Sequence, residues 1–233
     1  MPVFRLRRSE IIFPDPSLAE EDGILAVGGD LSPERLLRAY AEGIFPWFNE
    51  GSPILWWSPD PRLVLFPDEL HVSSSLARTL RRGRFRVTAD AAFGRVIRAC
   101  SDTERPGQDG TWITDEMIAA YEELHGLGYA HSFEACTGET LAGGLYGVSL
   151  GGAFFGESMF SERTDASKVA FARAVGFMKE RGIELVDCQV RTDHLVRLGA
   201  REVPRAAFLD QLYDLLGKPT LRGRWVMPPP GPP

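Results

Sequence analysis

Apolar residues along this chain change their spacing several times, and each change marks an element. In the first sixty residues Ser32 and Pro33 give the cap and first turn of a helix, Leu36, Leu37 and Tyr40 form its apolar face, and Gly43 ends it. The run GIFPWF follows, then a polar turn over 49–52, then PILWWSPDPR, whose Pro59 and Pro61 hold the backbone extended. That punctuation sets a boundary, with 1–62 expected as a small N-terminal domain and 63–233 as a larger one. Leu63 to Phe66 reads as a short strand. Helical spacing follows near 73–82, 90–100 and 114–126; in the second, Asp90 is placed to cap and Phe93, Val96, Ile97 and Cys100 recur along one face. From Tyr129 the period shortens to two, and 129–136, 141–149 and 153–157 predict three strands joined by turns at Thr137-Gly138 and Gly151-Gly152. A helix over 165–181, capped near Thr164 or Asp165, is expected to bury Phe171, Val175 and Met178 and to stop at Gly182. An apolar strand over 183–190, a helical turn closed by Gly199, a short strand and a helix carrying Phe208, Leu212 and Leu215 complete the pattern. The tail MPPPGPP is expected to be mobile.

The fold class is therefore α/β (α+β). The order strand, helices, three antiparallel strands, helix, strand, helix, strand matches an acetyltransferase-like architecture (GNAT, acyl-CoA N-acyltransferase-like) with a mixed, mostly antiparallel sheet. The R/Q-x-x-G-x-G/A loop that cradles coenzyme A pyrophosphate in that fold is absent. An acyl donor other than coenzyme A is expected.

Composition narrows the setting. The chain of 233 residues is 44% hydrophobic and 25% charged, ordinary for a soluble protein with a real core. No apolar run of about 18 residues suggests a membrane span, and MPVFRLRRSE lacks the apolar stretch of a signal peptide. Three cysteines form no CxxC pair, and four histidines form no HExxH. The expectation is a cytoplasmic monomer with no cofactor, no metal and no membrane partner. A net charge of -6 disfavours general nucleic-acid binding. Yet Arg78, Arg81, Arg82, Arg84 and Arg86 cluster, as do Arg5, Arg7 and Arg8. The larger cluster is either a solvated helix face and turn or a landing patch for a phosphate backbone.

Candidate chemistry concentrates in IELVDCQV. Alternation along a strand puts Asp187 and Gln189 on one face, roughly 6.5 Å apart, with Val186, Cys188 and Val190 on the other. They are either a satisfied structural pair or a polar site that holds an amine. Glu157, in GESMF, is either a cap for a turn backbone or an acidic contact for a cationic substrate. Ser158 lacks the elbow of a serine hydrolase, and Cys188 reads as core. GGLYG lacks phosphate-loop spacing and reads as close strand packing. Trp47, Phe48, Trp56, Trp57 and Trp112 are either core or stacking platforms for bases.

FPDPSLAEEDGILAVGGDLSPERLLRAYAEGIFPWF, ILWWSPDPR, GTWIT, GGLYGV, FFGESMF, ASK, LVDCQV and DHLVRLGA, in that order, resemble the leucyl/phenylalanyl-tRNA–protein transferases. The likeness spans nearly the whole chain, apart from 102–110 and the tail. It implies two domains, the second GNAT-like, and an aminoacyl-tRNA donor carrying Leu, Phe or, less well, Met. Acceptors are implied to be proteins with N-terminal Arg or Lys, which transfer marks for N-degron proteolysis. By the same resemblance Asp187 and Gln189 are the catalytic pair and Glu157 helps order the substrates. Trp47 and Trp112 hold the terminal adenosine. Leu145, Phe154, Met159, Ala174, Met178 and Val186 lie around the side-chain pocket. Two other readings stand beside it. One is a different acyltransferase of GNAT type, and the other is a tRNA- or peptide-binding module.

Overall fold

A computed structural model describes residues 3–103 and 111–228. Most of 102–110 and of the proline-rich tail lies outside the described residues. In the N-terminal part, β1 (Phe4–Leu6), β2 (Ile24–Gly28), helix α1 (Pro33–Ala41), β3 (Phe45–Pro46) and β4 (Leu55–Trp57) build a four-stranded sheet ordered β1-β2-β4-β3 with α1 beside it. These strands are two to five residues long, too short for a period of two to stand out. Helix α1 forms where Ser32-Pro33 places it, and Leu36 and Tyr40 are fully buried. Arg35 is buried too, held by Asp30 and by the carbonyl oxygen of Arg7 at 2.9 Å.

The rest builds a seven-stranded sheet. In chain order come β5 (Arg62–Leu65), α2 (Ser74–Arg81), β6 (Arg86–Ala89), α3 (Phe93–Ser101), α4 (Asp115–Gly126), β7 (Ala130–Thr137) and β8 (Thr140–Leu150). Then follow β9 (Ala153–Ser161), α5 (Ala166–Lys179), β10 (Leu185–Gln189), α6 (Asp193–Arg197), β11 (Arg201–Val203) and α7 (Arg205–Leu216). The spatial order is β11-β5-β10-β9-β8-β7-β6. Among the described residues of this sheet only the β9–β10 pairing is parallel, so the sheet is mixed and mostly antiparallel, as the pattern predicts.

Two apolar clusters cover the faces of this sheet. One joins the N-terminal sheet and Tyr40 to residues of α3, α4 and α7, including Phe93, Tyr121 and Phe208. The other lies under α2 and α5 and takes in Leu76, Phe171, Val175 and Met178. The expected core positions of α3, α5 and α7 are buried. Asp90 departs from expectation. Helix α3 starts after Ala92, without a side-chain cap, and Ala92 N–H is met by Glu134 at 3.2 Å. Asp90 instead adopts φ 51° and accepts from His131, Ser132 N–H and Trp225 N–H at 2.7–2.9 Å. It thereby fastens the C-terminal segment to the sheet, with Trp225 stacked on His131 at 3.6 Å. Asp165 also precedes its helix without a side-chain cap, at φ 68°.

The glycines of GGLYG act through close approach. A Cβ on Gly143 would lie 2.8 Å from Ala166 Cβ and 2.9 Å from Ser167 N, at the start of α5. Neither neighbour can swing aside. Gly143→Ala is expected to push α5 off the sheet and cost about 2 kcal/mol, lowering Tm by roughly 4–8 °C. A thermal melt matching the native protein would show that the approach is looser than this.

Candidate functional site

Strands β9 and β10 pair only as far as Phe155 and Asp187, and each then bulges. Against β8, Tyr146 aligns with Ser158 and Gly147 with Gly156, leaving Glu157 as the extra residue. Against β5, Asp187 aligns with Val64 and Gln189 with Leu63, leaving Cys188 extra. A bulge interrupts the alternation of side chains. Directly opposed residues share a face, so Asp187 lies on the face of Val64, within the first apolar cluster. Gln189 pairs with Leu63 through its backbone but leaves the alternation, and its side chain reaches Glu157 rather than standing beside Asp187. The expected side-by-side projection of Asp187 and Gln189 from one face is therefore corrected. Gln189, at φ 61°, turns into the gap where the two strands part.

Each buried carboxylate is held differently. Asp187 is fully buried and meets Arg62, the first residue of β5, through two parallel contacts of 2.9 and 2.6 Å. The Arg62 guanidinium lies 4.8 Å from the Phe45 ring centre and 4.7 Å from that of Phe208. Asp187 Oδ1 also accepts from Gln189 N–H at 2.9 Å. It thus sets the backbone of Gln189, while the side chain is set by Glu157. The Gln189 amide nitrogen donates to Glu157 Oε1 at 2.8 Å. The Tyr40 hydroxyl donates to the same oxygen at 2.8 Å, and the Tyr121 hydroxyl to Oε2 at 3.0 Å. The two phenols also touch each other.

Burial lifts the Glu157 carboxyl to about 7. Hydrogen bonds from Tyr40 and Tyr121 pull it down, the charge of Asp187 pushes it up, and the Gln189 bond lowers it again. Burial, and then the charge of Glu157, raise both tyrosines well above the usual phenol range. Burial and Asp187 keep the Cys188 thiol strongly protonated, which argues against a thiolate nucleophile.

The gap opens into a cavity of about 580 Å³, with Trp47, Trp112, Leu145, Phe154, Met159, Val186, Glu157 and Gln189 in its wall. Asp187 stands behind this wall. Ala174 and Met178 are fully buried in the core beneath α5 and do not line it. Cys188, expected in the core, is half-buried and does line the cavity. Arg78, Arg81, Arg82 and Arg84 are all exposed along α2 and the turn after it. Among the described residues, no group of three or more His, Cys, Asp or Glu side chains is arranged to hold a metal ion, and no helix is long and apolar enough to cross a membrane.

Sequence reasoning overlooked Arg62, Tyr40 and Tyr121. Arg62 carried a signal, since a charged residue opening the apolar strand RLVL demands a buried partner. Tyr40 reads as an ordinary member of an apolar helix face, Tyr121 falls within the helix expected over 114–126, and nothing local announces a carboxylate across the core.

The family model for leucyl/phenylalanyl-tRNA protein transferase matches residues 64–213, and the model for its N-terminal domain matches residues 29–60. The leucyl/phenylalanyl-tRNA–protein transferase of Anaeromyxobacter sp. (strain K) is 70% identical, over 100% of both chains. Those of Desulfatibacillum aliphaticivorans and Myxococcus xanthus (strain DK1622) are 60% and 57% identical, each over 97% of both chains. Among solved structures, a GCN5-related N-acetyltransferase from Kribbella flavida aligns with a TM-score of 0.35 at 13% identity, covering 74% of this chain and 61% of that one. L-PGS from Bacillus licheniformis aligns at 0.40 and 10% identity, covering 84% and 64% respectively. With both family models matched and full-length relatives at 57–70% identity, the chain belongs to the leucyl/phenylalanyl-tRNA–protein transferase family of aminoacyltransferases.

Proposed function

We propose that the cavity joins the ester end of an aminoacyl-tRNA to the N-terminal amine of a protein. Leu or Phe, and less well Met, passes to acceptors beginning with Arg or Lys and marks them for N-degron proteolysis. Residues 1–62 serve as a small N-terminal domain and 63–233 as the GNAT-like catalytic domain, a division supported by the change of sheet between Trp57 and Arg62. The observation that carries the reading is a hydrogen-bonded Glu157–Gln189 pair at the wall of a mostly apolar cavity.

The ester is already activated, so transfer is a matter of positioning. The acceptor nitrogen attacks the ester carbonyl carbon, the carbon–nitrogen bond forms, and the carbon–oxygen bond to the ribose breaks. The nitrogen loses a proton and the ribose oxygen gains one. Because its amide nitrogen is committed to Glu157, Gln189 presents its carbonyl oxygen, which accepts an N–H of the incoming amine. The Glu157 carboxylate, steadied by Tyr40 and Tyr121, stabilises the positive charge that develops on nitrogen. Asp187, its own charge matched by Arg62, positions the Gln189 backbone. Leu145, Phe154, Met159 and Val186 suit an apolar donor side chain, and Trp47 and Trp112 suit the terminal adenosine. Arg78, Arg81, Arg82 and Arg84 face the tRNA backbone, which makes donor binding salt-sensitive.

Radiolabelled Leu-tRNA incubated with an Arg-start peptide is expected to give labelled peptide, and a Gln-start peptide far less. In the same assay Gln189→Ala lowers turnover roughly a hundredfold through loss of alignment; native turnover would remove Gln189 from the reaction. The catalytic form of Glu157 is the carboxylate, with its pKa near 7. Turnover therefore rises with pH through about 7, and Glu157→Gln abolishes that limb and leaves only the titration of the amine, near 8. An unchanged pH profile in the variant would refute this role. Asp187→Ala leaves Arg62 charged and unpaired in the core, at a cost of about 3–5 kcal/mol. Arg62→Met with Asp187→Leu recovers most of that loss in a denaturant titration while turnover stays low. A single variant as stable as the native protein would contradict the account of the pair.

A further inference from the structure

The proposed acceptors carry a cationic first side chain, and the cavity wall offers little to receive it. Among the described residues lining the cavity, only Glu157 bears a carboxylate. Its oxygens already accept three hydrogen bonds, and Asp187 is sealed against Arg62. Arg191, also in the wall, would repel a second cation unless its own charge is matched. It is matched by Glu202, whose Oε2 accepts from Arg191 Nη1 at 3.1 Å.

Strand register places Glu202 with respect to the reacting groups. Leu63 of β5 aligns with Gln189 on one side and with Glu202 of β11 on the other. Gln189 and Glu202 therefore stand in one backbone row across three strands, about 10 Å apart. The partners Arg191 and Glu202 are 52% and 36% exposed, so water screens the pair and exchange of its cation costs little.

Resting on the acceptor reading above, we infer that Glu202 receives the cationic side chain of the acceptor's first residue, and that Arg191 occupies Glu202 until an acceptor arrives. With the terminal amine held at Gln189, a long side chain that leaves the cavity beside Arg191 carries its guanidinium or ammonium group to the Glu202 carboxylate. Arg191 is then displaced toward solvent. The chain carries its own imitation of the acceptor, and the two cations compete for one carboxylate.

The two members of the pair respond in opposite directions. Glu202→Gln raises KM for an Arg-start peptide on the order of tenfold, the loss of one charge-assisted hydrogen bond, with the effect in KM rather than kcat and with KM for Leu-tRNA unmoved. Arg191→Ala removes the competitor and lowers KM for the same peptide roughly two- to fivefold. A merely structural pair moves both variants the same way, with a fall in Tm, and that result overturns the inference. Preference for the Arg-start over the Gln-start peptide in Glu202→Gln, undiminished from the native enzyme, overturns the Glu202 assignment alone. Equal transfer to both peptides by the native enzyme overturns the acceptor reading, and this inference with it.

Discussion

An ionised group inside an apolar sheet must find a partner, and in this protein two buried carboxylates on neighbouring strands find partners of different kinds. Asp187 takes a full counter-charge from Arg62, in a geometry that leaves both carboxylate oxygens occupied. Among the described residues Glu157 takes neutral donors, two phenols and an amide. The first arrangement locks an ion pair into the core. The second leaves a carboxylate that changes protonation near neutrality, at the wall of a cavity. This division of labour between adjacent strands follows from burial and from the chemistry of the partners.

This arrangement depends on parts far apart in the chain. Tyr40 comes from α1, Tyr121 from α4, Arg62 from the start of β5 and Glu157 from the bulge of β9. The apolar cluster that joins the N-terminal sheet to the large one is what brings Tyr40 to Glu157. The N-terminal segment is therefore tied to the site by a side chain within it. The same segment supplies Phe45, which packs on Arg62, and Trp47, which lines the cavity.

The cavity exists because two strands that pair in parallel stop doing so. Pairing ends at Phe155 and Asp187, both strands bulge, and polar side chains turn into the space between them. Glycines keep the neighbouring layers tight while this gap opens. Gly143 admits the start of α5, and Gly147 leaves room for the ring of Phe154. The opening at the strand ends thus lies beside layers that pack closely at Gly143 and Gly147.

Much of this was legible in the residues. Period, caps and turns placed the helices and the three consecutive antiparallel strands of the large sheet, because each rests on contacts within a short stretch of chain. Specific runs such as GIFPWF, WWSPDPR, GESMF and DCQV pointed to the family, and Glu157 and Gln189 stood out as polar residues in apolar strands. Strict alternation, however, put Asp187 and Gln189 on one face, and only the register against β5 reveals the bulge that separates them. Asp90 looked like a helix cap because its position in the sequence allowed it, yet three donors from β7 and the C-terminal segment claimed it instead. The residues themselves determined where the longer helices and strands run and which polar groups are costly to bury. Tertiary structure decided who pairs with whom, because a hydrogen bond between Tyr40 and Glu157 spans 117 positions and leaves no periodic trace.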